Sequence, residues 1–365
     1  MIQWQWRAKI GSSLVELLSV PLEHAPLSET TQKTIVSILW RGHPSPDELF
    51  KHWQPYFFFY YQKMVSIVRD YLADSFPDAG WTHLDVVHVA RQLQGTSVCK
   101  SNIRIRCRTD EHAKTHDIID CIASIYTLAP IGEPPRLGEE WRGMHVDWKI
   151  GESIQESFEK HFSRCCLLEN TETNLDKRFM ARTMESIAGL KFEWTSNLLH
   201  HLRLTDNDST VQIFHHVTFL RRSDAKHIYP KGLFQETLET LALLFPQHDD
   251  KTMHWLHNMC SKHGYIDSNI RDCGPFTTQL WHIGHYYFWR DRLIELRDHV
   301  DYSTSPSRTC LRVLRNRRKG EQWLSSWIAI VVIGLTAFFG LVQSIEGGIQ
   351  VYKSYHPTKN EHGEK

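Results

Sequence analysis

Between Glu321 and Glu346 the chain carries no charged residue. No other feature constrains its folding as strongly. A run this apolar is covered either by a protein core or by a bilayer, and its length and flanks point to the bilayer. Trp327 to Ile345 spans about 28 Å as a helix with a ~1.5 Å rise, close to the ~30 Å thickness of a hydrocarbon core. Trp323 and Trp327 lie at one end and Tyr352 and Tyr355 at the other. These aromatic residues favour the membrane–water interface because their rings are apolar with a polar edge. The pattern predicts one transmembrane helix over 322–345, with a core helix of a globular domain as the competing reading.

Before this run come Arg308, Arg312, Arg315, Arg317, Arg318 and Lys319, with no acidic residue among them. Positive flanks favour the cytosolic side, so the expected topology is single-pass, with the large N-terminal part in the cytosol. Glu16 breaks any signal-peptide core near the start. The expected layout is tail-anchored, with insertion during synthesis as the alternative. The organelle is not legible. The six cations set topology or hold anionic lipid headgroups, worth about 1 kcal/mol each at most. Thr336, Gly340 and Ser344 recur every four residues, a spacing that lines one helical face and permits close approach of a second helix. They are the candidate packing residues for a homodimer.

The remainder divides into an N-terminal helical region at 1–128, a loop or boundary at 129–147, a second helical region at 148–300, a basic linker at 301–321 and a tail at 346–365. The expected fold class is mainly α: a multi-helix cytosolic domain, with room for two subdomains, plus the C-terminal membrane helix. Apolar residues at helical spacing predict helices over 31–40, 82–93, 110–128, 151–166, 175–188, 232–245, 252–263 and 275–300. Further helices are expected over 198–204, after an N-cap at Thr195-Ser-Asn197, and over 211–220, after a turn at 205–208. Pro55 is expected to interrupt or kink the chain. Lys191 to Trp194 reads as a short strand, and 101–108 as a weak strand or connector. The run Tyr56-Phe-Phe-Phe-Tyr-Tyr61 fits either core packing or a lipid or ligand pocket.

Charge excludes one class. Lys plus Arg and Asp plus Glu each number 42, so the soluble part has no general attraction for nucleic acid. The eight cysteines form no Cys-x-x-Cys pair, and a cytosolic setting makes free thiols the expectation. The sequon Asn207-Asp-Ser209 would stay unmodified there. P-loop, Gly-x-Gly-x-x-Gly, His-Glu-x-x-His and Gly-x-Ser-x-Gly motifs are all missing. No catalytic, cofactor-binding or metal residue is therefore assigned, and the balance leans away from an enzyme.

The 23 histidines offer either a pH response or ordinary surface and core positions. His112, His116 and Asp120 share a helical face and could ligate a metal, but a solvated first turn is the favoured reading. His254, His257, Cys260 and His263 step by three and drift around a helix, which suits an exposed amphipathic face better than one ion. His200-His201 and His215-His216 each read as one core and one surface residue. Asp291, Glu295, Arg292 and Arg297 fit helix-surface pairing, with acid–base work by the two carboxylates as the alternative.

Several segments together carry a family resemblance. They are Phe76-Pro-Asp-Ala-Gly-Trp81, Phe192-Glu-Trp-Thr-Ser-Asn-Leu198 with His201-Leu202, Ile213-Phe-His-His216, Leu241-Ala-Leu-Leu-Phe-Pro246, Phe288-Trp-Arg-Asp-Arg-Leu293, and Phe339-Gly-Leu-Val-Gln343 with Gln350-Val-Tyr-Lys353. From about residue 30 to 355 the chain resembles a group of filamentous-fungal proteins with a C-terminal transmembrane helix and no assigned activity. The resemblance implies a fungal source and a membrane location, and it brings no catalytic residue. The leading expectation is a membrane-tethered scaffold or interaction protein. The alternative is a membrane-bound enzyme or lipid-handling accessory protein acting on an apolar substrate. The lipid bilayer is the expected partner, with protein partners unknown and nucleic acid excluded.

Overall fold

A computed structural model describes residues 12–22, 26–40, 50–69, 81–95, 97–105, 112–132, 144–163, 174–206, 208–303 and 320–355. Helices dominate: twelve α-helices and three short strands occur among these residues. Contacts divide the chain once, into a unit up to Val300 and a unit from Asp301 onward. The packing draws no boundary at 129–147, a segment only partly described.

In the first unit α1 (Ser12–Leu18), α2 (Glu29–Leu39), α3 (Gln54–Ile67), α4 (His83–Gln92) and α5 (His112–Thr127) pack together. Local chemistry sets their starts. The Ser28 hydroxyl accepts the Thr31 N–H at 3.1 Å at the head of α2. Thr82 and Asp85 form a capping box on α4, satisfying N–H groups that the first turn leaves unpaired. Pro55 sits in the first turn of α3, where its missing N–H has no helical partner to lose. It therefore starts the helix instead of kinking it.

Ile118, Ile119, Ile122 and Ile125 of α5 are buried, as are Tyr56, Phe57 and Tyr60 of α3. Trp40 stacks on Trp53 with centroids 4.4 Å apart and meets Tyr56 edge-on at 4.8 Å. The aromatic run is thus mainly core. Beside it lies a buried ion pair: Lys100 Nζ is 2.7 Å from Asp120 Oδ2 and 2.6 Å from Oδ1, and sits over the Trp148 ring at 5.2 Å.

After α6 (Ile154–Phe162) and α7 (Ala181–Ile187) comes a three-stranded sheet of order β1-β3-β2, built from β1 (Lys191–Thr195), β2 (Arg203–Thr205) and β3 (Thr210–Phe214). β1 and β3 are parallel, with Thr195 opposite Phe214, while β2 is antiparallel to β3. Two expected helices are corrected here. Asn197 caps only a 3-10 turn, Leu198–His200, before Leu202 turns to φ +61 and β2 begins. The 211–220 stretch is a strand followed by α8 (Val217–Arg222). Val211, Ile213 and Phe214 are all buried, so no alternation marks the strand.

α9 (Leu233–Leu244), α10 (Asp250–Lys262) and α11 (Arg290–Ser303) follow. The expected helix over 275–300 begins only at Arg290; 278–285 holds two 3-10 turns. The buried Glu236 carboxylate replaces helical hydrogen bonding there by accepting the N–H groups of Tyr287 at 3.0 Å and Trp289 at 2.8 Å. Burial pushes its pKa up, and the hydrogen bonds it accepts pull the other way.

α12 (Gly320–Tyr355) stands in the second unit. Its Val331–Tyr352 stretch has a mean hydropathy of 1.5, is long and apolar enough to cross a membrane, and has no buried residue. This stretch extends past Glu346, beyond the end expected from the uncharged run.

Candidate functional site

One cleft in the first unit, of about 780 Å³, is lined by α3, the C-terminal part of α5, the segments around 130 and 145, and the loop after β1. That volume lies within the ~300–1,000 Å³ range of small-molecule pockets. Phe58, Phe59, Leu128, Ile131 and Trp194 supply apolar wall. Phe58 is half exposed and stacks on Tyr265 at 5.5 Å. The run at 56–61 is mainly core, with Tyr56, Phe57, Phe59 and Tyr60 buried, and Phe58 and Phe59 also line the cleft.

Backbone chemistry holds the wall opposite. The Ser124 hydroxyl donates to the Asp120 carbonyl at 2.8 Å and accepts the Ile131 N–H at 2.9 Å. Val146 N–H donates to the Pro130 carbonyl at 2.8 Å, and Gly132 N–H to the Val146 carbonyl at 3.0 Å. Gly132 has φ +97, and a Cβ there would lie 2.5 Å from Asp120 Oδ2. The position needs glycine both for its conformation and for the close carboxylate. Burial raises the Asp120 pKa to about 6 against the downward pull of Lys100.

The polar end of the cleft forms where β1 and β3 finish. Because Thr195 faces Phe214 in a parallel pair, the residues that follow each strand emerge side by side, at the strand ends where open α/β sheets place their ligands. Ser196 follows β1, and its Oγ lies 2.8 Å from His216 Nε2. His215 and His216 follow β3, with ring centroids 4.0 Å apart. The Asn197 N–H donates to Thr195 Oγ1 at 3.1 Å, and Asn197 Oδ1 accepts the Leu199 N–H at 3.0 Å, fixing the turn that presents Ser196. The Leu198 N–H reaches the Leu128 carbonyl at 2.9 Å, tying this turn to the end of α5.

These histidines are neutral. Burial lowers the pKa of His215 to about 3, and holds His216 well below its ordinary value with a further push from His215. Burial, helped by Arg203 and Arg292, lowers His200 to about 4. His215 Nδ1 accepts the Asp267 N–H at 3.4 Å, so the neutral ring carries its proton on Nε2. No described residue accepts that proton, and His215 lines the cleft. Trp194 Nε1 and His200 Nε2, on two further lining residues, are buried without a hydrogen-bond partner among the described residues.

The sequence-derived candidates fare differently. His215 and His216 are both buried, which corrects the expectation of one core and one surface residue; the strand-to-helix junction directs both inward. His201 is fully buried, with Nε2 2.7 Å from Thr240 Oγ1, while its partner His200 is half-buried. Asp120 is committed to Lys100. No group of three metal-ligating side chains forms among the described residues; His257 Nδ1 instead lies 3.0 Å from Arg271 Nη1. Arg292 donates to the His201 carbonyl at 2.5 Å and sits over Trp289 at 5.2 Å, so it braces α11 against the fold. Arg297 pairs with Asp298. Cys99, Cys260 and Cys273 are free thiols.

On α12, Thr336 and Ser344 donate back to the Val332 and Gly340 carbonyls at 2.8 and 2.9 Å, and the space over Gly340 is open. Arg308, Arg312, Arg315, Arg317, Arg318 and Lys319 lie outside the described residues. The site that sequence reasoning missed is the Ser196–His216 pair. Its only signal is two short runs, Lys191–Thr195 and Thr210–Phe214, that are each followed by polar residues, and these become neighbours only through parallel pairing. No known protein family, curated protein or solved structure matches this chain.

Proposed function

We propose that this chain is a membrane-tethered protein whose soluble unit binds an apolar molecule bearing a polar end. The observation that carries this reading is the cleft: an aromatic and aliphatic wall ending in Ser196, His200 and His215. Apolar surface contributes affinity in proportion to area, and a few placed polar groups fix orientation. Lys63 also lines the cleft, beside the Phe59 ring at 5.8 Å, and suits an anionic headgroup. A diazirine-bearing fatty acid photolysed with the detergent-solubilised full chain tests it. Labelled peptides should come from 58–63 and 194–200, and Cys121→Phe, which narrows the cleft, should reduce that labelling. Labelling confined to α12 would remove the binding reading.

Membrane attachment by α12 belongs to the same proposal. Its support is the apolar, unburied Val331–Tyr352 stretch. The basic residues from Arg308 to Lys319 favour a topology with the first unit in the cytosol, which glycosylation-acceptor insertion on either side of α12 would test. The scaffold reading rests on a separate observation, the small residues Thr336, Gly340 and Ser344 along an uncovered helix. Gly340→Ile should weaken self-association in a membrane reporter; an unchanged signal would remove the dimer seam.

A further inference from the structure

We propose that Ser196 and His216 are a nucleophile–base pair that hydrolyses a carboxylic ester of an apolar acyl chain held in the cleft. The inference deepens the binding reading and rests on it. Four observations converge. Ser196 lines the cleft. Its Oγ is at hydrogen-bond distance, 2.8 Å, from His216 Nε2. His216 is buried and approaches Phe59, a wall residue, at 6.4 Å between ring centroids. His215, on the same strand end, brings an N–H without a described acceptor to the same cleft.

A serine hydroxyl is a weak nucleophile until a base takes its proton as it attacks. A buried neutral imidazole can do this in the tautomer that leaves Nε2 open. The described residues place no carboxylate in hydrogen-bond contact with His216, so the arrangement is a dyad. In the first half-reaction Ser196 Oγ bonds to the ester carbonyl carbon and its proton passes to His216 Nε2. The ester C–O bond then breaks, and the alcohol leaves with that proton. In the second half-reaction a water attacks the acyl-serine carbonyl and gives its proton to His216. The Ser196 Oγ–C bond breaks, the serine recovers the proton, and the carboxylic acid departs. The sum is ester plus water giving acid plus alcohol. His215 Nε2–H is the donor available to the carbonyl oxygen as negative charge builds on it.

The test uses the full chain in detergent micelles with p-nitrophenyl butyrate, octanoate and palmitate, and with an alkyl fluorophosphonate whose adduct is mapped by mass spectrometry. The expected result is hydrolysis that favours the longer chains, an adduct on Ser196, and loss of both in Ser196→Ala. His216→Gln should slow hydrolysis by about a hundredfold or more, the range of a lost general base. The far-UV circular dichroism spectrum and urea midpoint of Ser196→Ala should match those of the wild type, which certifies its fold. If the wild-type cleft photolabels but the esters are untouched, or Ser196→Ala hydrolyses them equally, the dyad is overturned and the binding reading stands. If neither photolabelling nor hydrolysis occurs, both fall.

Discussion

α3 and α12 are both apolar helices, yet their surroundings are opposite. In α3, Tyr56, Phe57 and Tyr60 are at most 1% exposed, packed against α5 and the Trp40–Trp53 stack. In α12, Ile333, Phe338 and Leu341 are 68%, 59% and 61% exposed. The fold supplies the apolar medium for the first helix, while among the described residues the Val331–Tyr352 stretch of the second stays unburied. Hydrophobicity alone therefore does not separate a core helix from an uncovered one. The distribution of partners does, and α3 shows it in miniature: Phe58, which the core leaves half exposed, joins the buried Phe59 in the wall of the cleft.

The sharpest way to break this contrast is paired truncation. Phe57→Ala should cost about 3–5 kcal/mol, the usual penalty for emptying a buried aromatic site. Phe338→Ala should leave the first unit's stability within about 0.5 kcal/mol. Urea unfolding in detergent compares the two, and equal costs would erase the distinction. A smaller effect probes the cleft wall. Gly132→Ala puts a side chain in a left-handed conformation, costing about 1–2 kcal/mol, and crowds Asp120 away from Lys100. A shift of the urea midpoint measures it, and an unchanged midpoint would show that the wall yields freely.

A further test is pH. Burial lowers His83 and His200 to about 4 and His201 and His215 to about 3, whereas an unfolded histidine takes a proton near pH 6.5. The unfolded chain thus binds more protons. The stability these histidines protect is full above about pH 6.5 and falls as pH drops towards 4 and then 3. The loss is at most about 1.4 kcal/mol per pH unit for each histidine. Asp120, Glu236 and Asp267, whose carboxyls burial raises, act with the opposite sign, Asp120 mainly below about pH 6. Urea midpoints should therefore fall between pH 7 and pH 6; a flat or rising trend would contradict the burial of these rings.

Much of this architecture was legible where one local signal sufficed. Ile118 to Ile125, the helically spaced leucines of α9 and the uncharged run of α12 each announced a helix. Other segments were not legible, for identifiable reasons. β3 is buried on both faces, so Val211, Ile213 and Phe214 read as readily at helical as at strand spacing. The end of the 275–289 segment, Tyr287 to Trp289, is held by Glu236, a residue about fifty positions away, which no local pattern reports. The cleft was half legible: the aromatic run was conspicuous, but its division between core and wall depends on which rings α5 covers. The pairing of Ser196 with His216 depends on a parallel register, and parallel neighbours leave no mark in a single sequence.

The central proposal is that α12 is covered by lipid, its apolar Val331–Tyr352 stretch being unburied among the described residues. Alkaline carbonate extraction of membranes from cells expressing the full chain, beside the same chain lacking 320–355, tests it most directly. The account predicts that the full chain stays in the membrane pellet and the shortened chain enters the supernatant. A full chain released by carbonate, or a shortened chain that remains embedded, would contradict it.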